Sequence, residues 1–421
     1  MIKKTTLKNG LRVVTIPQKG TKTVTVLVLV KTGSKNETKD KNGISHFLEH
    51  MFFKGTEQRP TPLDIAEALD QVGGVFNAFT GEDYTGYYAK VDVSHFDLAL
   101  DWVSDIFLNS TLSPKEIEKE KGVVLEELFM YRDNPARHVD DLWMKLLYGD
   151  QPAGWNVVGT VQSVHSITKK DLREYIQKQY VGSNTLVCVA GNIDMAQTQK
   201  RVEKYFGKIA TGNATSAQTV RNHQKEAALL LEYRKTNQTN IALGVRGYNL
   251  SHPDRHVQHI ISVILGGMMS SRLFVEIREK LGLAYGVSTE SESNPDTGYL
   301  AATAGIKKDY APKAVHVILR EYKKIKTVPV SKAELQKAKE NEKGHMALRL
   351  ESSDAKANFY GMQELLRGEI LTPEQICDKI NQVTPADIQR VAKDLFRQEN
   401  LNLVVLGPYR DKKQFSPLLK I

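Results

Sequence analysis

The chain has 421 residues, of which 41% are hydrophobic and 25% charged, with a formal net charge of +9. That length exceeds what one ordinary core fills, so at least two domains are expected, and two cysteines, Cys188 and Cys377, exclude a disulfide framework. Basic residues are scattered among acids, as in Lys115-Glu116-Ile117-Glu118-Lys119-Glu120-Lys121, which reads as solvated helix faces and argues against nucleic acid as a partner.

In chain order, Met1 to Gly10 carries lysines but no apolar segment behind them, so it does not read as a secretory signal. Residues 11–16 and 23–31 are rich in β-branched side chains and predict two strands. The longest apolar stretch, Val24 to Val30, is broken by Thr25 and is far too short to span a membrane. A cytoplasmic protein without membrane contact is the expectation, with a mature organellar form left open. A polar loop, 34–42, leads into Gly43-Ile44-Ser45-His46-Phe47-Leu48-Glu49-His50-Met51-Phe52-Phe53. On a helix, His46, Glu49 and His50 share one face. Two imidazoles four apart can hold one zinc ion, and a carboxylate beside them can take a proton from water. The pattern is H-x-x-E-H, the zincin motif reversed. A catalytic zinc takes three protein ligands, so a third must come from elsewhere. The bland alternative is a pair of ordinary core or surface histidines.

Thr61-Pro62 opens a further helix that stops at Gly73-Gly74. Residues 75–80 and 84–91 predict a strand pair, and 95–108 a long helix. Ser113-Pro114-Lys115-Glu116 is a capping box. It starts a helix to about Arg132, and another covers 136–148. Residues 171–180 predict a helix and 186–191 a buried strand. The stretch 207–224 lacks apolar period and reads as a linker. Beyond it come a strand at 241–245, helices at 253–265 and 270–280, and strands near 284–292 and 298–305. Helices at 309–325, 331–349, 354–367 and 385–396 precede a last strand at 403–407.

Thr168, Asp171, Asn184 and Gly191 recur as Thr384, Asp387, Asn400 and Gly407, each 216 residues later (384 − 168 = 216). We read this as a duplication. The expected fold class is α+β, with two homologous domains of about 200 residues, each a largely antiparallel sheet packed with helices. The expected boundaries are 1–206, the linker 207–224, and 225–421.

The helix from Ser113 carries Glu116, Glu118, Glu120, Glu126 and Glu127. Glu120 and Glu127 are two turns apart and share a face. The apolar centre Gly122-Val123-Val124-Leu125 argues that part of this helix is buried. A buried carboxylate needs a partner, and zinc would be one. His46-Phe47-Leu48-Glu49-His50, followed by Glu127 77 residues after His50 (127 − 50 = 77), resembles the pitrilysin family of zinc metallopeptidases. The resemblance covers essentially the whole chain. The length and duplicated halves resemble the branch that includes the β subunit of the mitochondrial processing peptidase and its bacterial relatives.

The resemblance implies one zinc per chain, held by His46, His50 and Glu127. It implies Glu49 as general base and Glu120 as a supporting carboxylate. Phe76-Asn77-Ala78-Phe79-Thr80 resembles the family's edge strand, which implies that Asn77, Ala78, Phe79 and Thr80 pair with an extended substrate. Arg278 and Tyr285, seven residues apart, resemble the family's Arg/Tyr pair, which holds substrate backbone or the developing oxyanion. One departure is Gly266-Gly267-Met268-Met269, where relatives often carry a third glycine; it bears on how freely that loop admits substrate. His252, His256 and His259 cluster in the second half without an accompanying acid motif. The expected protein is thus a zinc endopeptidase acting on peptides or unfolded segments, working as a homodimer whose two subunits enclose the substrate. The rival is a non-catalytic subunit or scaffold. Motif completeness separates the two, and all four zinc-site residues are present.

Overall fold

The computed structural model describes residues 2–421. Its strands are β1 (Lys3–Thr6), β2 (Arg12–Pro17), β3 (Thr23–Val30), β4 (Val75–Thr80), β5 (Thr85–Asp92), β6 (Thr185–Gly191), β7 (Ala228–Tyr233), β8 (Gln238–Arg246), β9 (Ala284–Ser293), β10 (Gly298–Lys307) and β11 (Leu401–Gly407). They form two sheets, ordered β1-β2-β6-β3-β5-β4 and β7-β11-β8-β10-β9. Among the described residues, each sheet has one parallel pair, β2 with β6 and β7 with β11. Every other pairing is antiparallel. Position by position, β2-β6-β3-β5-β4 repeats as β7-β11-β8-β10-β9 with the same strand directions. The α+β class and the duplication read from sequence therefore hold.

The four repeated residues have identifiable jobs. Thr168 and Thr384 are N-caps whose hydroxyls accept the N–H of Asp171 and Asp387, while those carboxylates accept the cap N–H in return. Such a box satisfies donors that the helix leaves unpaired. Asn184 and Asn400 donate their side-chain amides back to the carbonyls of Gln179 and Leu395, at 2.9 and 3.2 Å, closing the turn after the helix. Gly191 and Gly407 end the buried strands β6 and β11.

The chain forms two compact units. The first comprises residues 1–129, 155–218 and 348–371; the second comprises 130–154, 219–347 and 372–421. Neither unit is a continuous half of the sequence, because each half contributes a helix to the other's core. In the first unit, the Ser353–Arg367 helix places Ala357, Tyr360 and Leu365 against Leu27, Leu29, Leu186 and Cys188 of β3 and β6. A Cβ on its Gly361 would stand 2.9 Å from Leu29 Cδ1, so a glycine lets this helix lie close to the sheet. In the second unit, the Pro135–Tyr148 helix packs Val139, Leu142, Trp143 and Leu147 against Ala242, Val404 and Leu406 of β8 and β11.

Besides short 3-10 turns, two strands and three α-helices among the described residues lie outside those read from the sequence: β1, β7, and the helices Val161–Ser166, Met195–Phe206 and Pro373–Gln382. Met195–Phe206 buries Thr198, Val202 and Phe206. The helix expected over 270–280 is present, but Phe274–Lys280 is wound as a π-helix. No described helix is long and apolar enough to cross a membrane.

Candidate metal centre

The motif helix, Ile44–Met51, is fixed from both sides before it presents any ligand. Ile44, Phe47, Leu48 and Met51 are buried. Its N-cap, Gly43, sits at φ 93°, a left-handed conformation that suits glycine. The helix start carries no side-chain cap of its own. Glu37, buried in the preceding loop, supplies one. Its Oε2 accepts from Gly43 N (2.7 Å) and Asn42 Nδ2 (3.0 Å), and its Oε1 from Ser45 N (2.8 Å). Burial pushes the Glu37 carboxyl up while these donors pull it down, and burial wins. Replacing Glu37 with Ala strands two buried backbone donors, Gly43 N and Ser45 N, and leaves Asn42 Nδ2 only the Asn156 carbonyl, so unfolding free energy is expected to fall by about 2–4 kcal/mol. Glu37→Gln, which keeps one carbonyl acceptor, should lose less. Urea titration of the three proteins checks this, and a change under about 0.5 kcal/mol in the Ala variant would contradict it.

His46, buried, and His50, half-buried, stand one turn apart on that helix with their ring centroids 4.6 Å apart. Glu127, on the Pro114–Asp133 helix, brings Oε2 to 3.5 Å from His46 Nε2 and 3.3 Å from His50 Nε2. These three residues are the one group of His, Cys, Asp or Glu among the described residues whose donor atoms converge as a metal ion requires, all within 4.8 Å. Bonds of about 2.0–2.1 Å at the tetrahedral angle set donor separations of roughly 3.3 Å. The two Nε2–Oε2 distances match that spacing. The donor set, two imidazoles and a carboxylate, leaves a fourth position of a tetrahedron open.

Glu120 is buried behind His50, with Oε1 at 2.9 Å from Nδ1. With the Nδ1 proton donated to Glu120, the His50 Nε2 lone pair faces the Glu127 side. Lys54 Nζ stands 2.8 Å from the other Glu120 oxygen. Burial pushes the Glu120 carboxyl up, but its bonds to His50 and Lys54 outweigh this and hold it below the usual range. His46 is depressed to about 4 by burial and by the charge of His50. For His50, burial acts downward, but hydrogen bonds to Glu120 and Glu127 and their charges raise it to about 9. A cation between the rings would supply the positive charge that the two carboxylates otherwise draw from the proton on His50.

Glu49, on the same helix, accepts a hydrogen bond at Oε2 from the Thr80 hydroxyl. Burial holds its carboxyl above the ordinary range against that bond. Thr80 ends β4, the edge strand of its sheet. Within β4, Asn77 faces Tyr88, Ala78 faces Tyr87, Phe79 faces Gly86 and Thr80 faces Thr85 of β5. The other side of β4 is paired with no strand among the described residues. The structure therefore brings together His46, Glu49, His50, Glu120, Glu127 and Thr80.

Arg278 and Tyr285 belong to the second unit. Arg278 Cζ lies 4.7 Å from the ring centroid of Phe274 and 5.0 Å from that of Tyr285. Tyr285 is 84% exposed on β9, the edge strand of the second sheet. His252, His256 and His259 form no ligand cluster. His252 stacks on Tyr248 with centroids 3.7 Å apart, and His259 Nε2 sits 3.0 Å from Glu342 Oε2. Sequence reasoning missed Glu37 and Lys54. Lys54 lies in the turn just past Met51, the last residue of the motif helix, so helical spacing did not mark it. Glu37 had no signal either, because its role depends on loop geometry.

Residues 12–161 match the model of "Insulinase (Peptidase family M16)", and residues 166–342 match "Peptidase M16 inactive domain". The second description agrees with the lack of H-x-x-E-H in that half. A Bacillus subtilis protein named uncharacterized zinc protease YmxG is 37% identical over 97% of this chain and 98% of its own length. A Streptomyces coelicolor protein named uncharacterized zinc protease SCO5738 is 34% identical over 98% of this chain and 91% of its own. The crystal structure of a protease from Helicobacter pylori superposes with a TM-score of 0.91 at 26% identity, covering 97% of this chain and 99% of the other.

Proposed function

Since this chain belongs to peptidase family M16, the pitrilysin family, we propose that it is a zinc-dependent endopeptidase acting on peptides or unfolded segments bound as an extended strand. The observation that carries this reading is the convergence of His46, His50 and Glu127 beside Glu49. One zinc per chain would be held by His46 Nε2, His50 Nε2 and Glu127. When bound, zinc supplies a Lewis acid that polarises the scissile carbonyl and acidifies water.

The protein's own residues do the rest. Glu49 takes a proton from the attacking water and passes it to the leaving amine. Its carboxyl, held above the usual range by burial, suits both accepting and returning that proton. Glu120 fixes the His50 ring so that Nε2 faces Glu127, where it would be a ligand. Asn77 to Thr80 on the edge of β4 offer backbone groups to the substrate, which pairs as an added strand. Arg278 and Tyr285 are donors suited to the oxyanion and to substrate carbonyls. Incubation with a degenerate peptide library, read by mass spectrometry with and without a chelator, tests the reading. Chelator-sensitive internal cuts are expected, and an untouched library would refute it.

We further propose a homodimer in which Arg278 and Tyr285 of one subunit complete the site of the other. Mixing an Arg278→Ala chain with a Glu49→Gln chain should then restore activity, because one of the two sites in the mixed dimer has both intact parts. A purified mixed dimer no more active than its parents would count against shared sites.

A further inference from the structure

We infer that Thr80 is a positioning residue for Glu49, and that the Ser34–Glu37 segment fixes the distance between them. The inference rests on Glu49 acting as general base. It adds what holds that base and which of its oxygens works.

The two partners come from different elements. Glu49 is on the Ile44–Met51 helix, and Thr80 is the last residue of β4, 31 positions later (80 − 49 = 31). Each end is tied to the same short stretch of chain. Ser34 N donates to Gly81 O (3.2 Å) and Lys35 N to Glu82 O (2.9 Å), so the backbone just after Thr80 is held. Lys35 Nζ pairs with Asp83 Oδ1 at 2.8 Å, with both side chains buried. Two residues further on, Glu37 caps the helix that carries Glu49. Gly81 N donates to Tyr84 O (2.8 Å), so the turn between β4 and β5 is itself closed. One brace therefore sets both the strand end and the helix start.

The hydroxyl of Thr80 donates to Oε2 of Glu49. A carboxylate has two oxygens, and an occupied one is a poorer proton acceptor. With Oε2 engaged, Oε1 is the atom left to take the proton from water, and the side chain is kept from rotating. Thr80 also ends the strand proposed to bind substrate. The base is thus referenced to the strand along which the peptide lies, which places the attacking water and the scissile bond in one frame. A misplacement of about 1 Å in such a frame can cost on the order of 100-fold in rate.

The test uses the zinc-loaded full chain and three proteins: wild type, Thr80→Val, which keeps the shape and removes the hydroxyl, and Thr80→Ser, which keeps the hydroxyl. With a quenched fluorescent peptide, Thr80→Val is expected to lower kcat about 10–100-fold while KM stays within about twofold, and Thr80→Ser should recover most of kcat. Two measurements without turnover accompany them. Zinc affinity, by competition with a chromophoric chelator, and affinity for an uncleavable peptide, by fluorescence anisotropy, should match wild type in both variants. Wild-type kcat in Thr80→Val would overturn the assignment, as would a Ser variant no better than the Val variant. Loss of kcat that merely follows loss of zinc or peptide binding would overturn it too, by assigning Thr80 to those roles instead. Failure of the base reading looks different: Glu49→Gln itself would then turn over peptide.

Discussion

Glu49→Gln should abolish peptide cleavage while leaving zinc bound at one ion per chain. The substitution keeps size and hydrogen-bonding shape, and it leaves His46, His50, Glu120 and Glu127 untouched. It removes only the ability to accept a proton. General-base catalysis contributes roughly 10²–10⁴-fold, so turnover should fall by at least that range. Zinc content by atomic absorption and kcat by a fluorescent peptide assay decide the matter. Substantial turnover in purified Glu49→Gln protein would remove Glu49 from its role. Loss of zinc in the same variant would make the result a binding defect instead.

The second large effect is on the metal itself. Glu127→Ala removes the ligand whose Oε2 lies 3.5 and 3.3 Å from the two imidazoles. Two histidines on one helix turn then remain, and dialysis should strip the ion together with all activity. Glu120→Gln should be graded rather than absolute. It keeps an acceptor near His50 Nδ1 but loses the charge shared with His50 and Lys54. Loss of such an outer partner typically weakens metal affinity about 10–100-fold. Chelator competition measures both. Equal zinc affinity in wild type and Glu127→Ala would refute the ligand set. An unchanged affinity in Glu120→Gln would assign that carboxylate a purely structural task.

How much of this was legible in the sequence follows from physical range. His46, Glu49 and His50 were readable because one helical turn converts spacing into a shared face. The duplication was readable because capping boxes, a back-bonded asparagine and a strand-ending glycine are local features that recur unchanged. Glu127 was different: five glutamates crowd its helix, and only the family resemblance selected it. The Thr80–Glu49 contact was invisible, since nothing local in a strand end marks which distant carboxylate it will meet. The exchange of the Pro135–Tyr148 and Ser353–Arg367 helices was equally hidden. An amphipathic helix announces that it will cover a sheet, not which one. The π-wound turn at Phe274–Lys280 also escaped, because its residues satisfy the helical pattern either way.

That helix exchange has a consequence for how the protein is made. Leu27, Leu29, Leu186 and Cys188 are sealed by a helix ending at Arg367. Translation reaches β6 at Gly191 well before that helix exists. For the time needed to add the next 176 residues (367 − 191 = 176), roughly ten to thirty-five seconds at ordinary synthesis rates, one face of the first sheet has no cover. The nascent chain at that stage presents an apolar, strand-rich surface of the kind that aggregates. The sheet that carries the zinc-site strand is therefore completed only when a segment from the far half of the chain arrives, although no residue of the candidate centre lies in that segment.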